Sequence, residues 1–231
     1  IIKQMKILNY QFKINLISNI RNSKKNKINM INVNYKFKNA FSQISTKSNS
    51  YLVDCFDLAL KIIKTNKKIT LLNGPISKKH FLNKKYLGVT EYIAKRTKTK
   101  KEVMLIYNKN FSVSPVTTHI PLKSVARKIN KKKIINTVLK VNEFYKKVIK
   151  LKPIIAVLGL NPHCETVSKI SEEEKIIVPS IKFLRRKNIK IDGPFAADTF
   201  FLKNNIDKFD VVIGMYHDQV LTPIKTLFEY E

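Results

Sequence analysis

The segment Pro153-Ile154-Ile155-Ala156-Val157-Leu158-Gly159-Leu160-Asn161-Pro162-His163 decides the fold. Pro153 introduces an apolar run from Ile154 to Leu160 that is short for a core helix and reads as a strand buried on both faces. Strands of that kind belong to parallel sheets covered by helices. The Asn-Pro pair ends the run and leaves His163 just past its C-terminal end.

Working outward, Lys131 to Lys150 reads as a helix, with Ile134, Val138, Val141, Phe144, Tyr145 and Val148 near one face and many lysines on the other. Before it, Ser112 to Thr118 and Val103 to Tyr107 read as strands. Earlier still, a helix from Tyr51 to Lys64 carries Leu52, Phe56, Leu60 and Ile63 inward, and a strand over Ile69 to Leu72 ends in Asn73-Gly74-Pro75. Downstream, Ser171 and Glu174 make a capping box whose acidic first turn suits the positive end of the helix dipole. That helix turns Ile177, Ile181 and Leu184 inward, and Pro179 predicts a kink. Asp210 to Met215 reads as the last strand. The alternation predicts an α/β domain over residues 51–231, following a Lys/Asn-rich segment 1–50 of undefined structure.

Composition narrows the function classes. At 231 residues and 44% hydrophobic, the chain is long enough to bury a sizeable core. Lysine and asparagine interrupt every apolar stretch before it reaches membrane-spanning length. Two cysteines, Cys55 and Cys164, exclude a disulfide framework and a cysteine-rich zinc module, and fit a reducing, cytoplasmic setting. The net charge of +29 raises the alternative of a nucleic-acid-binding protein. However, the lysines are spread along the whole chain with abundant Asn and Ile, as A/T-rich codons favour, and no aromatic-interleaved basic motif accompanies them. Residues 1–53 contain no Asp or Glu, yet lack the Arg/Ser bias of a transit peptide. A first residue of Ile and a last pair Tyr230-Glu231 suggest a chain incomplete at both termini.

Three of the four histidines stand just past predicted strand ends: His119 in Thr117-Thr118-His119-Ile120-Pro121-Leu122, His163 in the opening segment, and His217 in Met215-Tyr216-His217-Asp218-Gln219. Ligands of open α/β folds bind at the carboxyl ends of the strands, so these imidazoles are candidates for one divalent-metal site with a position left for substrate. His80 has no such setting and reads as a surface residue. Asp198, in Gly193-Pro194-Phe195-Ala196-Ala197-Asp198-Thr199, and Asp218 are carboxylates that complete a metal shell or accept a proton from an alcohol. For Asp198 the alternative reading is a turn or N-cap aspartate. Lys225, eight residues past His217, offers a point charge for a phosphate or carboxylate.

At these residues the sequence resembles the 4-hydroxythreonine-4-phosphate dehydrogenase family of pyridoxine biosynthesis. The matching segments are LLNGPISK (71–78), GVTEYIA (88–94), TTHIPL (117–122), GLNPH (159–163), GPFAADTF (193–200) and MYHDQVLTPIK (215–225). They run in the family's order over about residues 51–231. The resemblance implies a two-subdomain fold similar to isocitrate and isopropylmalate dehydrogenases, incomplete here at both termini, which binds NAD or NADP without the Gly-rich dinucleotide fingerprint. It implies that His119, His163 and His217 bind a divalent metal (zinc, magnesium or cobalt), that Thr90 and Lys225 contact substrate, and that the active site lies at a homodimer interface. The implied reaction is oxidation of 4-phosphooxy-L-threonine at its 3-hydroxyl and decarboxylation to 3-amino-2-oxopropyl phosphate, on the route to pyridoxal phosphate. No membrane or specific nucleic-acid partner is implied.

Three departures qualify the resemblance. Val89 stands where the family has His, which keeps open a related dehydrogenase of a phospho-threonate or phospho-erythronate. Cys164-Glu165-Thr166-Val167-Ser168-Lys169 replaces a Gly-rich stretch after His163, with Cys164 an inert neighbour or an adventitious ligand. The family's opening and closing segments are missing, which keeps open an inactive fragment.

Overall fold

The computed structural model describes residues 1–66, 68–82, 85–86, 88–99, 102–165 and 170–229. It comprises two compact units, residues 1–100 and 101–231.

In the first unit, helix α1 (Ile2–Ile7) precedes a two-stranded parallel pairing of β1 (Ile14–Leu16) with β2 (Ile28–Met30). Helix α2 (Asn49–Thr65) matches the periodicity read from Tyr51 to Lys64, and α3 (Val89–Arg96) follows it. Phe56 of α2, Leu82 and Tyr92 of α3 form a small core joined by Leu71, Ile76, Phe81, Tyr86 and Val89. The Tyr92 ring meets Phe56, Phe81 and Tyr86 edge-on, with Phe56 and Tyr92 centroids 5.2 Å apart. The strand expected over residues 69–72 is absent: the segment pairs with no neighbour among the described residues, and Leu72 is 95% exposed. Apolar content alone does not make a strand without a ladder partner. His80 is half-buried rather than on the surface, with Nδ1 2.8 Å from the Ser77 hydroxyl and its carbonyl accepting from Asn49 Nδ2.

The second unit is built on a four-stranded parallel sheet of β3 (Ser112–Thr117), β4 (Ile155–Leu158), β5 (Ile191–Phe195) and β6 (Val211–Tyr216), in the order β3-β6-β4-β5. Between β3 and β4 run α4 (Val125–Lys128) and α5 (Lys131–Phe144), the latter extended by a wider turn over Tyr145–Ile149. Between β4 and β5, a wide turn over Glu173–Ile177 leads into α6 (Val178–Arg185). Then α7 (Ala197–Phe200) and α8 (Lys203–Ile206) precede β6, and α9 (His217–Phe228) follows it directly.

Side-chain alternation puts Ile155 and Val157 on one face of β4 and Ala156 and Leu158 on the other, all with 0% exposure. Ile134, Val138 and Val141 of α5 and Ile181 and Leu184 of α6 cover the first face. Val220, Leu221 and Ile224 of α9 cover the second. This double cover explains why the strand reads as a continuous apolar run. The predicted cap is present, Ser171 Oγ accepting from Glu174 N at 3.1 Å. The strand read over residues 103–107 reduces to one antiparallel bridge, Ile106 with Val113, while Val103 and Leu105 serve as side-on packing for the core. Strand β5 escapes the reading from sequence because Gly193 and Pro194 interrupt it. Among the described residues, no helix is long and apolar enough to cross a membrane.

Candidate active site

Since all four strands of the larger sheet run parallel, their C-terminal ends share one edge. Each end delivers a candidate residue to that edge: His119 two residues past β3, His163 past β4, Asp198 in the first turn of α7 past β5, and His217 at the start of α9 past β6. The strand order groups them in two pairs. Neighbours β3 and β6 bring the His119 and His217 rings to 5.7 Å between centroids. Neighbours β4 and β5 bring His163 Nδ1 to 3.6 Å from Asp198 Oδ2.

His119, with φ of 35°, and His163, with φ of 56°, both sit in left-handed backbone, a conformation costly for most side chains but visited by His more than most. Such strain concentrates at functional sites. Thr117 Oγ1 donates to the Met215 carbonyl at 2.7 Å and ties the two strand ends carrying His119 and His217.

Asp218 Oδ1 lies 2.7 Å from His217 Nδ1. A carboxylate oxygen can only accept, so in the neutral imidazole tautomer that makes this bond Nδ1 donates and Nε2 keeps its lone pair. Asp198 faces Nδ1 of His163 in the same sense, leaving Nε2 of that ring unpaired with it. Carboxylates at the remote nitrogen are the usual orienting partners of metal-binding imidazoles. Two imidazoles on one metal, at metal–nitrogen distances of about 2 Å, have ring centres ~5 Å apart, close to the His119–His217 spacing. Two of the three imidazoles, His119 and His217, thus have the spacing of ligands to one ion. The three imidazoles do not stand in one cluster: no group of three or more His, Cys, Asp or Glu gathers at metal-binding distance among the described residues. His119 and His217 are together, and His163 is paired with Asp198.

A cleft of about 240 Å³ opens beside the first pair, lined by Thr117, Thr118, His119, Ile120, Leu122, Val125, Tyr216, His217 and Asp218. Lys225 is exposed about two turns further along α9. Thr90 lies exposed in the first turn of α3, in the other unit, while its neighbour Val89 packs into the Phe56–Leu82–Tyr92 core. In the loop that departs from the family pattern, residues 166–169 lie outside those described. Burial pushes the Cys164 thiol up, favouring the protonated form.

Two buried residues of this edge were missed from sequence. Glu173, 2% exposed, accepts from Leu160 N, Asn161 N and Asn161 Nδ2 at 2.7, 2.9 and 2.9 Å. Burial works against its charge, but the donors of Asn161 and Leu160 outweigh it and hold the carboxyl below its ordinary pKa. Gln219, 8% exposed, accepts from Met215 N and donates to the Gly159 carbonyl, both at 2.7 Å. In sequence, the first is one acid of a dipole-favouring first turn and the second is part of a motif; only the fold shows that both are buried.

Comparison with known proteins places the chain. The family model "Pyridoxal phosphate biosynthetic protein PdxA" matches residues 1–230, including the opening fifty residues where no resemblance was legible. A 4-hydroxythreonine-4-phosphate dehydrogenase from a Sulfurihydrogenibium species is 37% identical over 97% of this chain and 70% of its own length. A D-threonate 4-phosphate dehydrogenase from Pectobacterium atrosepticum is 31% identical over 77% of this chain and 55% of its own. The crystal structure of a 4-hydroxythreonine-4-phosphate dehydrogenase from Klebsiella pneumoniae superposes with a TM-score of 0.85 at 25% identity, covering 99% of this chain and 73% of that one. The matches thus span between 43% and 70% of the length of these and other curated relatives. Its α/β architecture is that of the solved family members, and the chain belongs to the PdxA family of pyridoxal phosphate biosynthetic proteins.

Proposed function

We propose that this chain carries the metal-binding half-site of an NAD-dependent dehydrogenase that oxidises and decarboxylates 4-phosphooxy-L-threonine to 3-amino-2-oxopropyl phosphate. The observation that supports this reading best is the delivery of His119, His163, His217 and Asp198 to one sheet edge by four parallel strands. In this reading His119, His163 and His217 hold one divalent ion, of zinc, magnesium or cobalt type. When bound, it supplies Lewis-acid polarisation of the substrate's hydroxyl and later of the ketone.

The chain's own residues do the rest. Asp218, hydrogen-bonded to Nδ1, fixes the tautomer and orientation of His217 and leaves its Nε2 for the ligand, while Asp198, 3.6 Å from Nδ1 of His163, sets a negative charge beside that ring. Both carboxylates are more than half exposed, which also leaves them able to accept the hydroxyl proton. Lys225 and Thr90 bind the phosphate and polar groups of the substrate. NAD or NADP accepts the hydride, and a homodimer completes the site at its interface.

A second reading has one observation in its favour. Val89 replaces the family's imidazole and is absorbed into an apolar core, which suits a substrate lacking the partner for that imidazole, such as a phosphorylated threonate. Relatives named D-threonate 4-phosphate dehydrogenase match at 31% identity. Following NADH absorbance with each substrate in turn tests the assignment. Turnover of 4-phosphooxy-L-threonine alone supports the first reading, preference for D-threonate 4-phosphate supports the second, and turnover of neither with metal and NAD present contradicts both.

A further inference from the structure

The three-residue segment Gly159-Leu160-Asn161 lies between β4 and His163, and two buried polar side chains hold it from opposite sides. Glu173 Oε1 accepts both Leu160 N and Asn161 N, while its Oε2 accepts Asn161 Nδ2 at 2.9 Å. Asn161 Nδ2 also reaches Glu172 Oε2 at 3.0 Å. From the other side, Gln219 Nε2 donates to the Gly159 carbonyl, and its Oε1 receives Met215 N. Gln219 stands two residues after His217, so one side chain joins the strand end before His163 to the junction that presents His217.

The backbone is cut to fit this clamp. A Cβ at Gly159 would meet Cys164 Sγ at 2.6 Å and Glu173 Oε1 at 3.2 Å, and a Cβ at Gly214 would meet Val220 Cγ1 at 2.4 Å and Gln219 Oε1 at 3.1 Å. Both glycines leave the space that the two polar side chains need. Buried hydrogen-bonded networks of this kind lose much when one member is removed, since the remaining partners are stranded away from water.

We infer that Glu173 and Gln219 are positioning residues that lock Gly159–Asn161 and thereby set His163 relative to His217. The functional part of this inference rests on the reading of the histidines as metal ligands; the locking itself does not. Both side chains spend their hydrogen bonds on protein groups. They act through the backbone that carries the imidazole.

Hydrogen exchange followed by mass spectrometry, together with cobalt(II) titration read by visible absorption, tests it on the wild-type chain, Glu173→Gln and Gln219→Met. Glu173→Gln is isosteric and keeps an acceptor for the two amides, but sets an amide donor against Asn161 Nδ2. Exchange in a peptide covering 159–163 should accelerate about tenfold or more in each variant, with β3 and α5 unchanged. Cobalt affinity should fall about tenfold or more, with altered absorption bands at the same stoichiometry. Folded variants with wild-type exchange over 159–163 overturn the inference. If wild-type chain takes up no cobalt, the ligand reading fails, and the exchange comparison alone decides the clamp. Gln219→Glu, which keeps the acceptor for Met215 N but sets a carboxyl oxygen against the Gly159 carbonyl, replaces Gln219→Met should the latter not fold.

Discussion

Asp218 Oδ1 sits 2.7 Å from His217 Nδ1, at the first turn of the helix that follows the central strand β6. The contact makes Nδ1 the hydrogen-bonded nitrogen of His217, which in the reading of this ring as a ligand leaves Nε2 for the metal. Asp218→Ala should therefore weaken divalent-metal binding by about 10- to 100-fold. The melting temperature should stay close to wild type, because the Asp218 side chain is 78% exposed. Asp218→Asn, which keeps an acceptor oxygen, should lose less. Equal affinities for all three proteins in a metal titration would remove Asp218 from the orienting role.

Gly193 has φ of 131°, and a Cβ there would come within 2.4 Å of the Val157 carbonyl oxygen, which is backbone of the central sheet. Gly193→Ala should cost at least ~2 kcal/mol in urea denaturation, combining backbone strain with a contact that cannot relax by rotating a side chain. A stability within ~0.5 kcal/mol of wild type, the scale of ordinary surface changes, would contradict this packing.

Leu158, fully buried in β4 between the strand neighbours and α9, anchors the second face of the sheet. Leu158→Ala should destabilise by about 2–5 kcal/mol through lost burial and the cavity left behind. Replacing Leu72, 95% exposed, should change stability by less than ~0.5 kcal/mol. Chemical denaturation of the two variants side by side checks the contrast.

Glu173 gives a pH dependence with a definite sign. Its carboxyl is held below the ordinary value of 4.5 in the folded chain, so folding favours the charged form. The stabilisation is fully present above the unfolded pKa and is lost as pH falls through the lower, folded one. Thermal melts of wild type and Glu173→Gln should differ most near neutrality and converge as pH falls below the carboxylate range. A gap that widens on acidification would mean that the carboxyl is not held charged.

What the sequence made legible follows from periodicity. The helix face of Ile134, Val138 and Val141, the doubly covered run Ile155–Leu158, and the placement of His119, His163 and His217 past strand ends all come from patterns that depend on near neighbours. What stayed hidden depends on distant ones. Residues 69–72 look like a strand but pair with nothing among the described residues, and Ile191–Phe195 pairs with β4 despite two residues that usually break strands. Glu173 and Gln219 carry no burial signal of their own, since the segment they hold lies 12 to 13 and 60 residues away in sequence and only the Met215 partner of Gln219 is local. The pairing of His163 with Asp198, rather than directly with the other imidazoles, likewise follows from strand order, which the sequence does not spell out.

We propose that the strand ends bearing His119, His163 and His217 serve one divalent-metal site. Calorimetric titration of the chain with zinc, alongside His119→Ala, His163→Ala and His217→Ala, tests it most directly. One ion bound per site in the wild type, with binding abolished in each folded variant, is the predicted result. A folded wild-type chain that binds no metal, or variants that bind it as wild type does, would contradict the account.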